Sequence, residues 1–434
     1  MTTVRSAKAE PTVMSDVPIR VAEPVLRWSA RAHSVAEIET ELARIWASQD
    51  LTTQVEGEPG RRVPARTSVM NLVVVARRPE IAERCAATIH ALTGRHPSRT
   101  IIIQPADPDG PSWLDARIEA HCILPRADAP ETCGETIHLT CGGESGRHLA
   151  AIATPLIIHD LPVTVWWPGE PPLTSPATMD LLRGADRLIV DSSTWSGDGL
   201  ARLQDLAGLL GTTRLAISDF ALVRQSRWRE AIASIFDDPD FLPYLRSLRR
   251  IAVTYGTHDE TGAPAGTILV KPIYHVSWLA SRLGLSVVRP LTEATSPRAI
   301  VKRPALRPAG TRVTQSKPVM GRGLVATLSD GRGEVGVVIR PVISANPPGT
   351  TLRVELLAER RGSELRADVT AEAETVHVRV WQDGVEALDR YFRAPRRTDV
   401  DLLAEAIESG RRDPVAVDAL RAAAMIAGPR AGAS

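Results

Sequence analysis

The chain has 434 residues, 43% of them hydrophobic, and balances 52 basic residues against 51 acidic ones. That length exceeds one ordinary core, so two domains are expected, and a formal net charge of +1 supplies no global field for nucleic acid or a membrane. The amino end lacks the apolar segment of a secretory signal, and no run approaches the roughly 18 apolar residues that span a bilayer, so the chain reads as cytoplasmic.

A polar arm leads into SVAEIETELARIWASQD, where Ser34 and Glu37 form a capping box and Val35, Ile38, Leu42 and Ile45 share one helical face. NLVVVA (71–76) reads as a buried strand and 79–92 as a helix with proline at its start. TIIIQ from Thr100, LDARIEAHCIL from Leu114 and ETIHLTC from Glu135 read as three further strands. A helix from about Arg147 through Ile158 precedes LPVTVWW. A short helix near Met179 precedes DRLIVDSS, and a helix over 200–210 precedes RLAISDF. Strands alternating with helices across short connections predict a mostly parallel sheet covered on both faces, with right-handed crossovers. RWREAIASIF and FLPYLRSLRRIAVTY read as a longer helical stretch, and YHVSWLASRLGL as the last helix of this region.

From Ser296 to Arg322 the composition turns Pro-rich and basic, with seven Lys/Arg and no Asp/Glu, which marks a domain junction. Beyond it GLVATLSDG, EVGVVIRP, TTLRVELLAE, ELRADVTAE and ETVHVRVWQDG alternate with period two, and Asp330-Gly331 and Asp383-Gly384 are hairpin turns. Thr398 and Gly410 bracket one closing helix, and Asp413, Pro414 and Gly428 bracket another. The expected architecture is α/β: a mostly parallel, helix-covered Rossmann-like sheet with a second, smaller α+β domain containing an antiparallel meander. The expected divisions are an arm and amphipathic helix (1–60), the α/β domain (61–290), a basic linker (291–323) and the C-terminal domain (324–434).

Chemistry-bearing motifs are sparse. The strand NLVVVA runs into RRPEIAERC without the glycines of a dinucleotide turn. The P-loop, G-x-S-x-G, H-E-x-x-H and EF-hand patterns are missing too. No catalytic residue, metal cage or cofactor site can be named from spacing. Cys85, Cys122, Cys133 and Cys141 lack zinc spacing and read as free buried thiols. Three features carry binding expectations. In RHPSR, Arg95, His96 and Arg99 gather in a helix-to-strand loop that suits a phosphate or an acidic partner, or else a solvated connection. CGGESGRH is a glycine turn into a helix, a phosphate cradle in one reading and an ordinary turn in the other. WWPGEPP places Trp166, Trp167 and Glu170 after a strand, on the rim where parallel sheets meet ligands, and DSSTW adds Asp191, Ser192 and Trp195. Adjacent side chains point to opposite faces, so one tryptophan is expected in the core and the other as a recognition platform.

RHPSRTIII, LDARIEAHC, ETIHL, HLAAIATPLIIHDLPVTVWWPGEPP, ADRLIVDSSTW and LARLQDLAGLL together resemble the OpcA family, the glucose-6-phosphate dehydrogenase assembly proteins of bacteria. The resemblance implies a non-catalytic protein that binds this dehydrogenase, favours its active oligomer and serves the oxidative pentose phosphate pathway. It implies a protein partner; the balanced charge argues against nucleic acid and a membrane, and a variant of this reading adds a sugar-phosphate or nucleotide effector at the crevice of the sheet. In cyanobacterial relatives activation is linked to thiol redox state, with no cysteine of this chain assigned to it. The alternative is a sugar-phosphate-binding enzyme or sensor with its site at the carboxyl edge of the parallel sheet.

Overall fold

A computed structural model describes residues 26–47, 53–54, 61–62, 67–123, 132–257, 268–294, 323–410 and 412–428. The polar arm before Leu26 and the basic segment 295–322 lie outside the described residues.

The first unit opens with β1 (Leu26–Ala32), α1 (Val35–Ala47) and a ribbon of β2 (Thr53–Gln54) and β3 (Arg61–Arg62). It continues through β4 (Met70–Val75), α2 (Pro79–Leu92), β5 (Ser98–Pro105), β6 (Trp113–Ile123), β7 (Thr132–Gly142), α3 (Gly143–Arg147) and α4 (Leu149–Ala153). Then come β8 (Val163–Trp167), α5 (Pro176–Arg183), β9 (Arg187–Val190), α6 (Leu200–Thr212) and β10 (Ala216–Asp219). The eight-stranded sheet runs β1-β6-β7-β5-β4-β8-β9-β10. From β7 to β10 every neighbour pair is parallel. Numbered along the chain, these six strands stand in the order 3-2-1-4-5-6 of a doubly wound dinucleotide-binding sheet, which reverses direction between β4 and β8. LDARIEAHCIL departs from the parallel pattern: as β6 it pairs antiparallel with β7 and with β1. No helix is described between β6 and β7, and a parallel pair needs a crossover connection.

Cys122 and Cys133 face each other in the β6–β7 register and form a disulfide. The expectation of four free thiols is therefore corrected. Sequence spacing gave no sign of the bond, because only the strand register makes the two cysteines neighbours. Cys85 and Cys141 are free and buried. Burial pushes their thiols up to about 12 and about 11, respectively, and keeps them protonated.

The second unit contains α7 (Phe220–Val223), α8 (Ser226–Ile235), β11 (Leu248–Thr257), α9 (Val270–Leu283), β12 (Ser286–Ala294), β13 (Gly323–Ser329), β14 (Glu334–Ile343) and β15 (Thr351–Arg360). It is completed by β16 (Ser363–Ala371), β17 (Thr375–Gln382), β18 (Val385–Arg393), α10 (Asp399–Glu408) and α11 (Pro414–Ala427). Its sheet also has eight strands, β12-β13-β14-β11-β15-β16-β17-β18. All neighbours are antiparallel except β11 with β14. The predicted meander is present, but RRIAVTY is β11, a strand near the middle of this sheet and not a helix. Sheet membership thus departs from the expected divisions, since β11 and β12 precede most of the linker. The Asp383-Gly384 turn is as expected: both residues have positive φ, 50° and 82°, the geometry of a two-residue hairpin turn.

The two closing helices return to the first unit. Thr398 and Asp401 form the capping box of α10, and its Leu402, Leu403 and Ala406 bury against Leu72, Val74, Cys85, Trp166 and Phe220 in one apolar cluster. Arg187 holds the following turn, donating to Ser409 Oγ and to the carbonyls of Ser409 (2.6 Å) and Gly410 (3.1 Å). α11 packs between α6 and α9. The tail is a clasp that joins the two sheets, as apolar side chains hundreds of residues apart leave water together.

Candidate functional site

The RHPSR residues lie at the amino edge of the first sheet and are occupied. Arg95 pairs with Glu408 at 2.5 Å and His96 Nε2 meets the same carboxylate at 2.8 Å, both tying the end of α2 to α10. Arg99 is buried, with its Nε donating to Glu135 and its Nη1 to Leu156 O at 2.7 Å and Glu39 at 3.3 Å. Glu135 has no exposed surface and also accepts from Trp46 Nε1 at 2.7 Å. This guanidinium is committed to a buried carboxylate and is not free for an external anion. In CGGESGRH, Glu144 pairs with His148 at 2.7 Å, and the helix α3 inside this stretch has only five residues.

At the carboxyl edge, Trp166 and Trp167 do point to opposite faces, but both are buried, at 1% and 3% exposure. The expectation that one is presented to a partner is corrected. Trp166 lies against Phe220, with ring centroids 5.9 Å apart, beneath α10. Trp167 belongs to the large core on the other face with Leu181, Leu182 and Leu203. No local pattern could show that a helix from residues 399–408 covers the first face. Trp195 is buried as well, donating from Nε1 to Gly169 O at 3.3 Å.

The polar rim residues are brought together, largely to serve one another. Glu170 accepts from Ser196 N and Oγ at 3.1 and 2.8 Å and from Arg202 Nε. Partial burial opposes its charge, yet these hydrogen bonds and the Arg202 charge hold its carboxyl below the ordinary value. Asp191, at the end of β9, forms a two-pronged pair with Arg224 at 2.7 and 2.8 Å and accepts from Ser193 Oγ at 2.5 Å. Ser192 is fully buried and donates its backbone N–H to Asp219 at 3.1 Å.

Asp219, Tyr274, Arg224 and Lys271 were missed by sequence reading. Asp219 ends β10 as Asp191 follows β9, so the repeated acid at a strand end was the available signal. It also accepts from Ala221 N at 2.9 Å and Tyr274 OH at 2.7 Å. Burial raises its carboxyl above the usual range despite hydrogen bonds from Ser192 and Tyr274. Lys271, in the first turn of α9, has its ammonium pKa lowered by burial and then by the Arg224 charge, with Asp191 opposing. It forms no ion pair within 4.0 Å among the described residues. Where a dinucleotide cradle would follow β4, Ala76, Arg77, Arg78 and Pro79 stand instead. Arg78 caps α2 without a side-chain hydrogen bond, and no glycine lets a pyrophosphate approach the backbone.

The second sheet has two unlike faces. One is apolar and packs under α8 and α9 through residues such as Val253, Leu356 and Val378. The other carries three rungs across the strands. The first is Arg250, Leu357, Arg366, Trp381 and Glu386; the second is Ala252, Glu355, Asp368, Arg379 and Asp389; the third is Thr254, Arg353, Thr370, His377 and Tyr391. Arg340 and Arg353 each pair with Glu355, and Arg353 also with Asp368. His377 meets Asp389 at 2.8 Å and stacks on Tyr391 at 4.0 Å. Trp381 lies between two guanidiniums, Arg366 at 4.3 Å and Arg379 at 5.2 Å from its ring centroid.

Comparison with known proteins agrees with the architecture of two units. Residues 89–207 match the model of the glucose-6-phosphate dehydrogenase subunit N-terminal domain, and residues 215–420 that of its C-terminal domain. The chain is similar to the OxPP cycle protein OpcA of Synechocystis sp. (strain ATCC 27184 / PCC 6803 / Kazusa), at 28% identity over 193 residues. That match covers 44% of this chain and 38% of the relative, well under two thirds of the relative's length. Among solved structures, the transcriptional regulator Gal80p of Kluyveromyces lactis aligns with a TM-score of 0.42 and 11% identity, over 84% of this chain and 92% of that one. An oxidoreductase from Sinorhizobium meliloti aligns with a TM-score of 0.42 and 14% identity, over 83% of this chain and 96% of that one. With the two domain models matched in succession along the chain, the chain belongs to the OpcA family.

Proposed function

We propose that this chain is a non-catalytic assembly factor that binds glucose-6-phosphate dehydrogenase and favours its active oligomeric conformation in the oxidative pentose phosphate pathway. The observation that carries the reading is the succession of both family models over residues 89–207 and 215–420. The site is consistent with it: Asp191, Asp219 and Glu170 are held by Arg224, Tyr274 and Arg202, and no glycine cradle follows β4. The mechanism is a shift of population. A partner that grips the competent dehydrogenase more tightly than the incompetent one moves it from rare to dominant at about 5 kcal/mol of preference, whereas equal affinity moves nothing. The test is co-elution of the purified chain with its cognate dehydrogenase, together with dehydrogenase turnover as the chain is titrated in. A complex and a rise in turnover are expected. No complex and no kinetic effect, in reducing or oxidising buffer, would reject the proposal.

A sugar-phosphate effector is a second reading, supported by Lys271, a half-buried cation in the field of Arg224 and Asp191 that forms no ion pair within 4.0 Å with a described carboxylate. Glucose 6-phosphate should then raise the melting temperature of the native chain but not that of Lys271→Met. In this reading the rim residues Glu170, Asp191, Ser192 and Trp195 shape the crevice. Turnover of a sugar phosphate by the chain alone would move the assignment to an enzyme.

A further inference from the structure

The charged face of the second sheet carries an inference that rests on the assembly-factor reading and goes further by locating the contact. Arginine Nε atoms of Arg250, Arg340, Arg353 and Arg366, and Oδ1 of Asp368, are buried on this face without a hydrogen-bond partner. Four desolvated N–H groups on one sheet face are an unusual cost, since each buried donor left unpaired loses about 1–3 kcal/mol. Glu355 and Asp368 are already shared between Arg340 and Arg353. Arg250, Arg366 and Arg379 form no ion pair within 4.0 Å with any described carboxylate. Three guanidiniums are therefore left without a carboxylate of their own on a face that also holds Glu355, Asp368, Glu386 and Asp389, and it carries arginine, tryptophan and tyrosine, the residue types that dominate binding hot spots.

Its size also fits. Six strands about 4.8 Å apart and roughly nine residues long present on the order of 800 Å², which is what one side of a standard stable interface buries. No helix among the described residues packs on it.

We propose that this face is the surface on which the dehydrogenase docks, through carboxylates of the dehydrogenase that meet the unpaired guanidiniums of Arg250, Arg366 and Arg379 around Trp381. The full chain carrying Arg366→Glu and Arg379→Glu together should bind the dehydrogenase at least ~100-fold more weakly, by reversal of a charge contact. Its own melting temperature should change little, and Trp381→Ala should weaken binding independently. Wild-type binding should fall as salt is raised. The neutral pair Arg366→Gln and Arg379→Gln serves if the charge reversal unfolds the chain, and is expected to weaken binding less. Wild-type affinity in folded variants of both kinds overturns the docking site while leaving the assembly role intact, whereas a wild-type chain that never binds overturns the assembly role itself. If the charge reversal abolishes only self-association of this chain and leaves dehydrogenase binding unchanged, the occupant is a second copy and the proposal falls.

Discussion

Replacing Arg99 by methionine tests whether RHPSR is a structural anchor or an anion site. The substitution removes the guanidinium that Glu135, which has no exposed surface, faces beside Trp46 Nε1, together with the link to Glu39 on α1 and to the Leu156 carbonyl. Breaking one side of a buried ion pair costs about 3–5 kcal/mol, because the surviving charge keeps its desolvation penalty and loses its compensation. Glu135→Leu alone should cost a similar amount by stranding the guanidinium. The double variant should be more stable than either single one, since it removes both desolvation penalties together. Equilibrium urea unfolding, followed by tryptophan fluorescence and far-ultraviolet circular dichroism, supplies the double-mutant cycle. A loss below about 1 kcal/mol for Arg99→Met, with no recovery in the double variant, would refute the anchor. An anion site makes the opposite forecast, with unchanged stability of the ligand-free chain and loss of ligand-induced stabilisation only.

His275 provides a pH test. Burial, helped by the Arg229 charge, pushes its imidazole down to about 3, and neither ring nitrogen has a hydrogen-bond partner. The folded value lies below the unfolded one, so the unfolded chain takes up the proton first and stability falls as pH drops from about 6.5 towards 3, by up to about 1.4 kcal/mol per pH unit. His275→Leu should flatten that slope between pH 6 and pH 4 in urea titrations, and parallel slopes for the two proteins would sink the assignment. The Cys122–Cys133 bond closes a loop with a sequence separation of 11, which corresponds to about 2.5–3 kcal/mol of stabilisation in the loop-entropy picture. Paired serine substitutions should lower the unfolding free energy by about that amount, and a midpoint equal to that of the oxidised wild type would show that the bond contributes nothing.

Local pattern made much of the fold legible. The run NLVVVA, the proline-led start of α2, the Asp383-Gly384 turn and the Thr398 and Asp413 caps are each dictated by residues within a few positions of one another. RRIAVTY shows the limit. Its Ile, Val and Tyr suit a strand, but it follows the 3-10 turn at Leu242–Ser247, and as one short apolar run its period could not be told from a helix's. The motifs of the candidate site were visible as residue types and invisible as roles. Arg99 reads as a ligand-binding arginine until β7 places Glu135 beside it. The tryptophan pair reads as half exposed until α10 lies over Trp166 and leucines of α5 and α6 enclose Trp167.

Sequence by itself determined the alternation of strands and helices, the second set of antiparallel strands, the absence of a glycine cradle after β4 and the resemblance to the OpcA family. The first three are carried by short-range periodicity and turn chemistry, and the resemblance by whole motifs such as RHPSR and PLIIHDLPVTVWWPGE. The tertiary structure alone decided which charges were consumed and which were left over. Arg95, His96 and Arg99 find acids on elements distant in the chain, whereas Arg250, Arg366 and Arg379, unremarkable in sequence, gather on one sheet face through strand register. The physical reason is that an ion pair, a disulfide or an open sheet face depends on spatial proximity, which here is set by strand register and by hydrophobic burial that joins α10 and α11 to elements hundreds of residues earlier.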